Sequence, residues 1–153
     1  MKIAVVLLAA AALGAAPYAR AEVCSGITHE TVTVDIRKDD WTAAAVRIRP
    51  GDIVIVRASG VVKLAHTLLG EIGPKGTANG SGRLDMKVFT ESKVDTAPVV
   101  PVGDRWVGSF REPVTVRFRV NSERFQDNAG AYKVSVIVVP AGALPPAVKF
   151  DAD

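Results

Sequence analysis

The side chains best suited to bind a ligand lie in one short loop, residues 121–130, with the sequence NSERFQDNAG. Asn121, Ser122, Asp127 and Asn128 offer amide, hydroxyl and carboxylate oxygens within eight positions. Calcium is bound in proteins by about six to eight oxygen atoms, several of them from carboxylates. The loop therefore predicts a calcium site, with Asn121, Ser122, Asp127 and Asn128 as the candidate metal ligands.

The same loop supports a second interpretation. Glu123 could add another carboxylate, but Arg124 places a positive charge beside any bound cation. Asp127 and Asn128 could instead close a turn with their own side chains, with Gly130 in a left-handed conformation. Both interpretations remain open at this point.

The segments on either side of the loop alternate between apolar and other residues, as half-buried strands do. Apolar side chains recur at every second position from Val114 to Val120 and from Tyr132 to Val138. Because only one polar loop separates these segments, we expect them to pair as a hairpin around it.

The rest of the chain reads as short strands between turns. Strands are predicted at 31–36, 46–49, 53–56, 61–64, 84–89 and 105–110. The β-branched run at 53–56 is typical of a strand covered on both faces. Glycines and a proline interrupt residues 65–83, which predicts a long surface loop. With no sustained helical period, the pattern indicates an all-β fold, a single antiparallel β-sandwich or jelly roll.

The first residues resemble an export signal. Lys2 precedes an apolar run at 3–16, and Ala-Arg-Ala at 19–21 matches a signal-peptidase site. The run is too short to span a bilayer comfortably, so no membrane span is expected. We predict a signal peptide at 1–21, one domain at 22–139 and an extended tail at 140–153, in a periplasmic or secreted protein.

Charge and cysteine content narrow the possible functions. The chain has 19 basic and 16 acidic residues, and the predicted signal carries two of the basic residues and no acid. The mature protein is thus nearly neutral, which gives no reason to expect a nucleic-acid partner. Cys24 is the single cysteine, so an internal disulfide is excluded. The sequence leaves the oligomeric state undetermined.

No catalytic motif is present. The chain has no G-x-S-x-G elbow and no phosphate-binding loop, and it offers no recognisable pair of carboxylates facing across a cleft. The chain has only two histidines, His29 and His66, which lie far apart, and no cluster of cysteines near either, which makes a zinc site improbable. We therefore expect a protein that is not an enzyme.

The arginines on one strand face and the two tryptophans could each serve either structure or ligand binding. Arg117 and Arg119 share one strand face and would approach Arg47 and Arg49 if those strands are neighbours. They form either a stripe for acidic glycans or a solvated face that discourages edge pairing, and we favour the second. Trp41 and Trp106 are expected to be core anchors.

An ordered set of short motifs resembles the PA-IL-type bacterial galactophilic lectins and their secreted relatives. The motifs are DWT at 40–42, RPGD at 49–52, ASG at 58–60, GPKG at 73–76, LDMKV at 84–88, VG at 102–103, VN at 120–121 and DNAGAY at 127–132. Together they extend over 32–139, nearly the whole predicted domain. The resemblance implies a galactose-binding-type β-sandwich in which calcium bridges the protein to sugar hydroxyls.

The resemblance also places the site. Asn121 matches the family's Asn, Ser122 occupies the position of its carboxylate, and Asp127 and Asn128 match two consecutive ligands. A loop carbonyl would come from near Leu64. The family's sugar-contacting His and Gln align near Gly80 and Arg83, so this sequence departs from the family there. The substrate-binding candidates that follow are Gly80, Arg83, Ser122 and Asp127.

These observations predict a non-catalytic carbohydrate-binding module with calcium as its candidate cofactor and a glycan as its partner. The alternative is a structural or protein-interaction domain that keeps the fold but has lost the sugar and calcium site. The missing carboxylate at Ser122 favours that alternative.

Overall fold

The computed structural model describes residues 26–65, 70–90, 97–123 and 125–143. The predicted signal peptide, Cys24, His66 and Arg124 lie outside these residues. The described chain forms eight strands: β1 (Thr28–Asp35), β2 (Thr42–Ala43), β3 (Ile53–Lys63), β4 (Leu84–Phe89), β5 (Val99–Pro101), β6 (Arg105–Ser109), β7 (Thr115–Val120) and β8 (Ala129–Val139). A single 3-10 turn, Ala141–Ala143, follows β8. No helix among the described residues is long and apolar enough to cross a membrane.

The strands form two four-stranded sheets. The first has the order β1-β8-β3-β6 and the second the order β2-β7-β4-β5. Every pairing is antiparallel. The predicted all-β antiparallel sandwich is therefore confirmed.

The longest pairing joins β3 to β8 in the centre of the first sheet. It runs from Ile53 opposite Val139 to Lys63 opposite Ala129. β-Branched residues occupy six of the eleven positions of β3 and five of the eleven of β8, which suits a pleated, half-buried surface. The pairing connects the two ends of the sandwich and so sets where the loops at each end lie.

Alternate side chains of both sheets fill one core between them. Val54 and Val56 of β3 share this core with Val116 and Phe118 of β7, and all four are fully buried. β8 adds Tyr132, Val134, Val136 and Val138 from its inward positions. Strict alternation fixes the register, since a slip by one residue would turn every inward side chain outwards.

The expected hairpin between β7 and β8 does not form. β7 pairs with β2 and β4, whereas β8 pairs with β1 and β3 in the other sheet. Each strand carries an apolar face, and both faces are buried when the strands lie in opposite layers. Residues 121–128 therefore cross from one sheet to the other at one end of the sandwich.

Two strand predictions also need correction. Val54 and Val56 are fully buried, but Ile53 and Ile55 on the other face are only half-buried, so β3 is not covered on both sides. β3 also continues without a break through Gly60, which has positive φ. Residues 46–49 form no strand, and only Ile48 makes an isolated bridge, to Val114.

The two tryptophans occupy different surroundings. Trp106 packs against the core and stacks on Phe110 with 5.7 Å between ring centroids, as its predicted anchoring role requires. Trp41 is half-buried on the outer face of the second sheet, where Lys87 and Arg119 lie over its ring at 5.8 and 4.7 Å. The core-anchor prediction for Trp41 is wrong, because its ring lies against Arg119 of β7 and Lys87 of β4 on the outer face of the sheet.

The segment expected to be an extended tail begins with local structure. Ala143 N–H donates to the carbonyl of Pro140 at 2.9 Å in the 3-10 turn. Ala141 N–H donates to Oδ1 of the buried Asp52 at 3.3 Å, and the other Asp52 oxygen accepts from Arg49 N–H at 2.8 Å. Asp52 thus ties the 49–52 turn to the residues that follow β8.

An ion pair at the end of β1 makes stability depend on acid pH. Arg37 donates to both carboxylate oxygens of Asp35, the shortest contact being 2.7 Å, and its backbone N–H donates at 2.9 Å. These hydrogen bonds lower the pKa of Asp35 from 3.8 to about 2. The folded protein holds this carboxylate ionised more strongly than the unfolded chain does.

We predict that this contribution is complete above about pH 4 and lost as the pH falls towards 2. Replacing Arg37→Gln should flatten the melting temperature against pH in that window, by at most about 3 °C since the pair is largely exposed. Thermal unfolding followed by circular dichroism from pH 2 to 7 measures this change. Arg111→Gln, at an exposed bend, is the control, and equal pH profiles for wild type and Arg37→Gln would contradict the prediction.

Candidate functional site: a polar recess between two rim segments

A small recess of about 150 Å³ opens at the end of the sandwich where β3 and β7 finish. Leu64, Asn79 and Ser81 line it from one side, and Ser122 and Glu123 line it from the other. The first group belongs to the segment between β3 and β4, and the second follows β7. These two segments, which we call the rims, therefore meet at the recess.

Antiparallel pairing explains why these residues come together. β7 ends where β4 begins, with Val120 opposite Leu84, and β3 ends where β8 begins. The rims are then joined by backbone hydrogen bonds: Gly82 N–H donates to Asn121 O and Asn121 N–H donates to Arg83 O, both at 2.7 Å. The recess is thus framed by fixed backbone on both sides.

Asn128 connects the loop at 121–128 to the end of β3. Its side chain is buried, with only 3% exposed. Oδ1 accepts from Ala65 N–H at 3.1 Å, and Nδ2 donates to Ser122 Oγ at 2.8 Å. The side chain of Asn128 thus bridges the loop at 121–128 and the end of β3. Gly130 has the positive φ that was expected, at 102°.

Asn121, Gly80 and Arg83 support the recess from behind. Asn121 Nδ2 donates to Gly80 O at 3.0 Å, and Gly80 is buried. Arg83 Nε donates to Oδ1 of the buried Asp85 at 2.7 Å, and this hydrogen bond raises the pKa of Arg83. Gly80 and Arg83 therefore lie next to the recess without lining it.

Asp127 lies in a different place. It is exposed and lines a neighbouring recess of about 470 Å³ together with Arg37, Asp39, Glu123, Phe125 and Gln126. Among the described residues, Glu123 is the one that borders both recesses. The structure thus brings Ser122 and Asn128 into direct contact and keeps Asn121 close by, but it turns Asp127 towards the opposite side of the loop.

These positions bear on whether calcium fits. Around the recess, the described residues supply one carboxylate, Glu123, together with the Ser122 hydroxyl and the backbone of Leu64. No group of three or more His, Cys, Asp or Glu residues in the described chain is placed to hold a metal. Calcium prefers more ligands and more negative charge than this set offers. The set does not fit an ion held by the protein alone, and calcium binding stays a prediction.

Tyr132 holds the first rim in place from within the core. Its ring is fully buried on β8, and its hydroxyl lies 2.8, 2.9 and 3.1 Å from the carbonyl oxygens of Gly82, Gly73 and Ile72. A hydroxyl has one hydrogen, so it donates to one of the three at a time. Burial raises the pKa of this hydroxyl, so it stays protonated and a donor.

The rim itself packs against the sandwich. Ile72 is buried and exchanges backbone hydrogen bonds with Val62 at 2.8 and 2.9 Å, and Pro74 is buried beside it. The described part of the predicted surface loop is therefore fixed structure. At Gly76, an added Cβ would lie 2.6 Å from Arg83 N, so only glycine fits this crossing.

Sequence reasoning missed three residues of this region. Asn79 and Ser81 line the recess, and Tyr132 supports it, but none was among the candidate site residues. Asn79 Oδ1 accepts from Ser81 N–H at 3.2 Å and from the Thr77 hydroxyl. The Asn-Gly-Ser-Gly run at 79–82 is a turn signal and could have indicated an ordered polar turn.

Comparison with known proteins supports the fold. No protein-family model matches the chain, and no curated protein sequence matches it. Among solved structures, a chain described as the EclA N-terminal domain, a PllA-like lectin, aligns with a TM-score of 0.55 at 19% sequence identity. The alignment covers 71% of this chain and 94% of that chain. The protein thus shares the β-sandwich fold of that lectin domain, and at this identity the similarity speaks for the fold alone.

We predict that Tyr132→Phe lowers the free energy of unfolding by about 1–2 kcal/mol, because the carbonyl of the buried Gly82 loses a donor while the ring still fills the core. Chemical denaturation measures this loss, and hydrogen exchange should show faster exchange of the Gly76 and Gly82 amides. Thr33→Val, at an exposed position of β1, is the control and should change stability by less than about 0.5 kcal/mol. Unchanged stability and exchange in Tyr132→Phe would show that the hydroxyl does not hold the rim.

Proposed function

We propose that this protein is a non-catalytic carbohydrate-binding module that binds a saccharide at the recess. The observation that supports it most directly is the meeting of Leu64, Asn79 and Ser81 with Ser122 and Glu123 at one end of a lectin-like sandwich. Polar side chains from two separate rims converge there on a framework fixed by backbone hydrogen bonds.

The chemistry of the recess suits a ligand rich in hydroxyl groups. Ser122 and Ser81 can each donate and accept, and Asn79 carries both amide functions. Glu123 is exposed, and its carboxylate would form the strongest hydrogen bonds to sugar hydroxyls. Nothing in this set resembles an activated nucleophile, which favours binding over catalysis.

The size of the recess indicates shallow recognition. At about 150 Å³ it is smaller than the roughly 300–1,000 Å³ of pockets that enclose drug-sized ligands. It would hold the edge of one sugar ring while the rest of the saccharide lies over the rims. A weak interaction with a single site follows, and repeated sugars or repeated copies of the protein would strengthen it.

The proposal includes export. The charged start, the apolar run and the Ala-Arg-Ala sequence at 19–21 support a cleaved signal peptide and a periplasmic or secreted module. We expect the protein made in a bacterial host to be recovered from the periplasm or medium and to begin at Glu22. Intact-mass spectrometry checks this, with Ala21→Arg as a variant that should block cleavage. A full-length chain retained in the cytoplasm would contradict export.

The binding proposal is tested with Glu123→Ala. A glycan array identifies a saccharide bound by the wild-type protein, and calorimetry then compares the variants. Because Glu123 provides the one carboxylate at the recess, we expect its loss to weaken binding about tenfold. Glu112→Ala is the matched control, an exposed glutamate before β7 at the opposite end of the sandwich.

Two outcomes of this experiment count against the proposal. Equal weakening by Glu112→Ala would place the saccharide elsewhere, and no saccharide bound by the wild type would favour the alternative of a structural or interaction domain. The titration is repeated in EDTA and in calcium. We expect equal affinities, given the single carboxylate, whereas tighter binding or a higher melting temperature in calcium would support the calcium site predicted from the sequence.

A further inference from the structure

A further recess, larger than the two described above, lies at the other end of the sandwich, away from the rims. Its volume is about 570 Å³, within the range of pockets that bind small molecules. Three arginines line it, Arg47, Arg49 and Arg117, and the buried side chains of Ile48 and Val114 contribute to its floor. We call this recess the arginine groove.

Backbone pairing brings the three arginines together. Ile48 bridges Val114, with Val114 N–H donating to Ile48 O at 3.2 Å. Ile48 is buried, so the exposed Arg47 and Arg49 beside it point away from the core. β7 begins one residue after Val114, and the same alternation exposes Arg117 next to them.

One of the arginines is held in position by an aromatic ring. The guanidinium of Arg117 lies 4.7 Å from the centroid of Phe89, which also lines the groove. Lys87, paired opposite Arg117, lies 5.5 Å from the same ring and adds another positive charge nearby. Stacking on Phe89 orients the guanidinium while leaving its N–H donors available at the edge of the plane.

None of the three groove arginines forms a direct ion pair within the described chain. The ion pairs found there use Arg37, Lys63, Lys75, Arg83 and Arg119, and none of them involves a groove arginine. Arg119, two positions further along β7, donates to Asp39 at 2.8 Å and lies over Trp41. The two arginines of one strand therefore differ, since Arg119 is paired within the described chain and Arg117 faces the groove.

We propose that the arginine groove binds the anionic substituent of an acidic saccharide, a sulfate, phosphate or carboxylate group. Guanidinium groups suit such oxyanions because their donors match two oxygens at once. The apolar floor suits the carbon-bearing face of the sugar ring that carries the group. The identification of the ligand as a saccharide rests on the proposed function, whereas the anion site rests on the groove alone.

The groove and the recess at the rims are distinct sites. β7 runs from Thr115 at the groove to Val120 just before Ser122, about 17 Å at 3.3 Å per residue. An acidic oligosaccharide of a few units could reach both by following the second sheet. The two sites can therefore be tested by separate substitutions.

The test uses calorimetric titration of the mature protein with a sulfated disaccharide, the same disaccharide with a phosphate or a carboxylate in place of the sulfate, and the neutral parent. The variants are Arg49→Gln, Arg117→Gln and the double variant. Arg105→Gln is the matched control, an exposed arginine on β6 in the other sheet. We expect the acidic forms to bind, each single substitution to weaken binding about tenfold, and the control to have no effect.

The salt dependence of binding provides a second criterion. Salt screens charge interactions, so affinity that depends on the arginines should fall when sodium chloride is raised from about 50 to about 500 mM. The arginine Nε–H signals of the wild-type protein should also shift during the titration, which removes any dependence on variant folding. Equal weakening by Arg105→Gln, or binding of the neutral parent as tight as that of the acidic forms, would overturn the proposal. So would no binding of any acidic form at millimolar concentration.

The two proposals fail separately. If acidic disaccharides bind and Glu123→Ala has no effect on them, the anion site stands even when no neutral saccharide is bound at the recess. If neutral saccharides bind at the recess and the groove variants change nothing, the anion site is refuted and the proposed function is unaffected.

Discussion

A single buried hydroxyl controls how one end of this sandwich is built. Tyr132 reaches from the central strand of the first sheet through the core to the carbonyls of Ile72, Gly73 and Gly82. These carbonyls belong to a glycine-rich segment that has few side chains of its own to bury. The Ile72 and Gly73 carbonyls also accept backbone hydrogen bonds, from Val62 and Gly76, so loss of the hydroxyl would affect the carbonyl of the buried Gly82 most. The position of Asn79 and Ser81 at the recess depends on this support.

Features that depend on neighbouring residues in the sequence could be predicted, whereas features that depend on distant contacts could not. Alternation in β4 and in the inward faces of β7 and β8 is a local property, and those strands were predicted with small errors at their ends. Which strands pair is decided by the whole core, and the hairpin between β7 and β8 was wrong for that reason. Alternating segments joined by a short loop suit a hairpin as well as a crossing between two layers.

The same distinction applies to the candidate site. The family resemblance placed a carbonyl near Leu64 beside the loop at 121–128, and in the structure Asn128 bonds to Ala65 and to Ser122. The sequence could not indicate that this amide would be used to join two segments, or that Asp127 would face the other side of the loop. Neighbouring residues in a loop point in directions set by backbone torsions, which no spacing rule predicts. Asn79 and Ser81 were missed because their role depends on Tyr132, fifty positions away from them.

Arg117 and Arg119 show how neighbours rather than residue type decide what a side chain can do. Both are arginines on the outer face of β7, two positions apart, and the sequence offered no reason to separate them. Trp41 and Asp39 lie beside Arg119 and pair with it, so its charge contributes to holding the 39–41 turn against the sheet. Phe89 lies beside Arg117 and orients it without neutralising it, since an aromatic ring carries no net charge. Arg117 is thus an oriented cation beside Arg47 and Arg49, and such a group attracts an anion. It can bind one because, within the described chain, Arg117 forms no ion pair of its own.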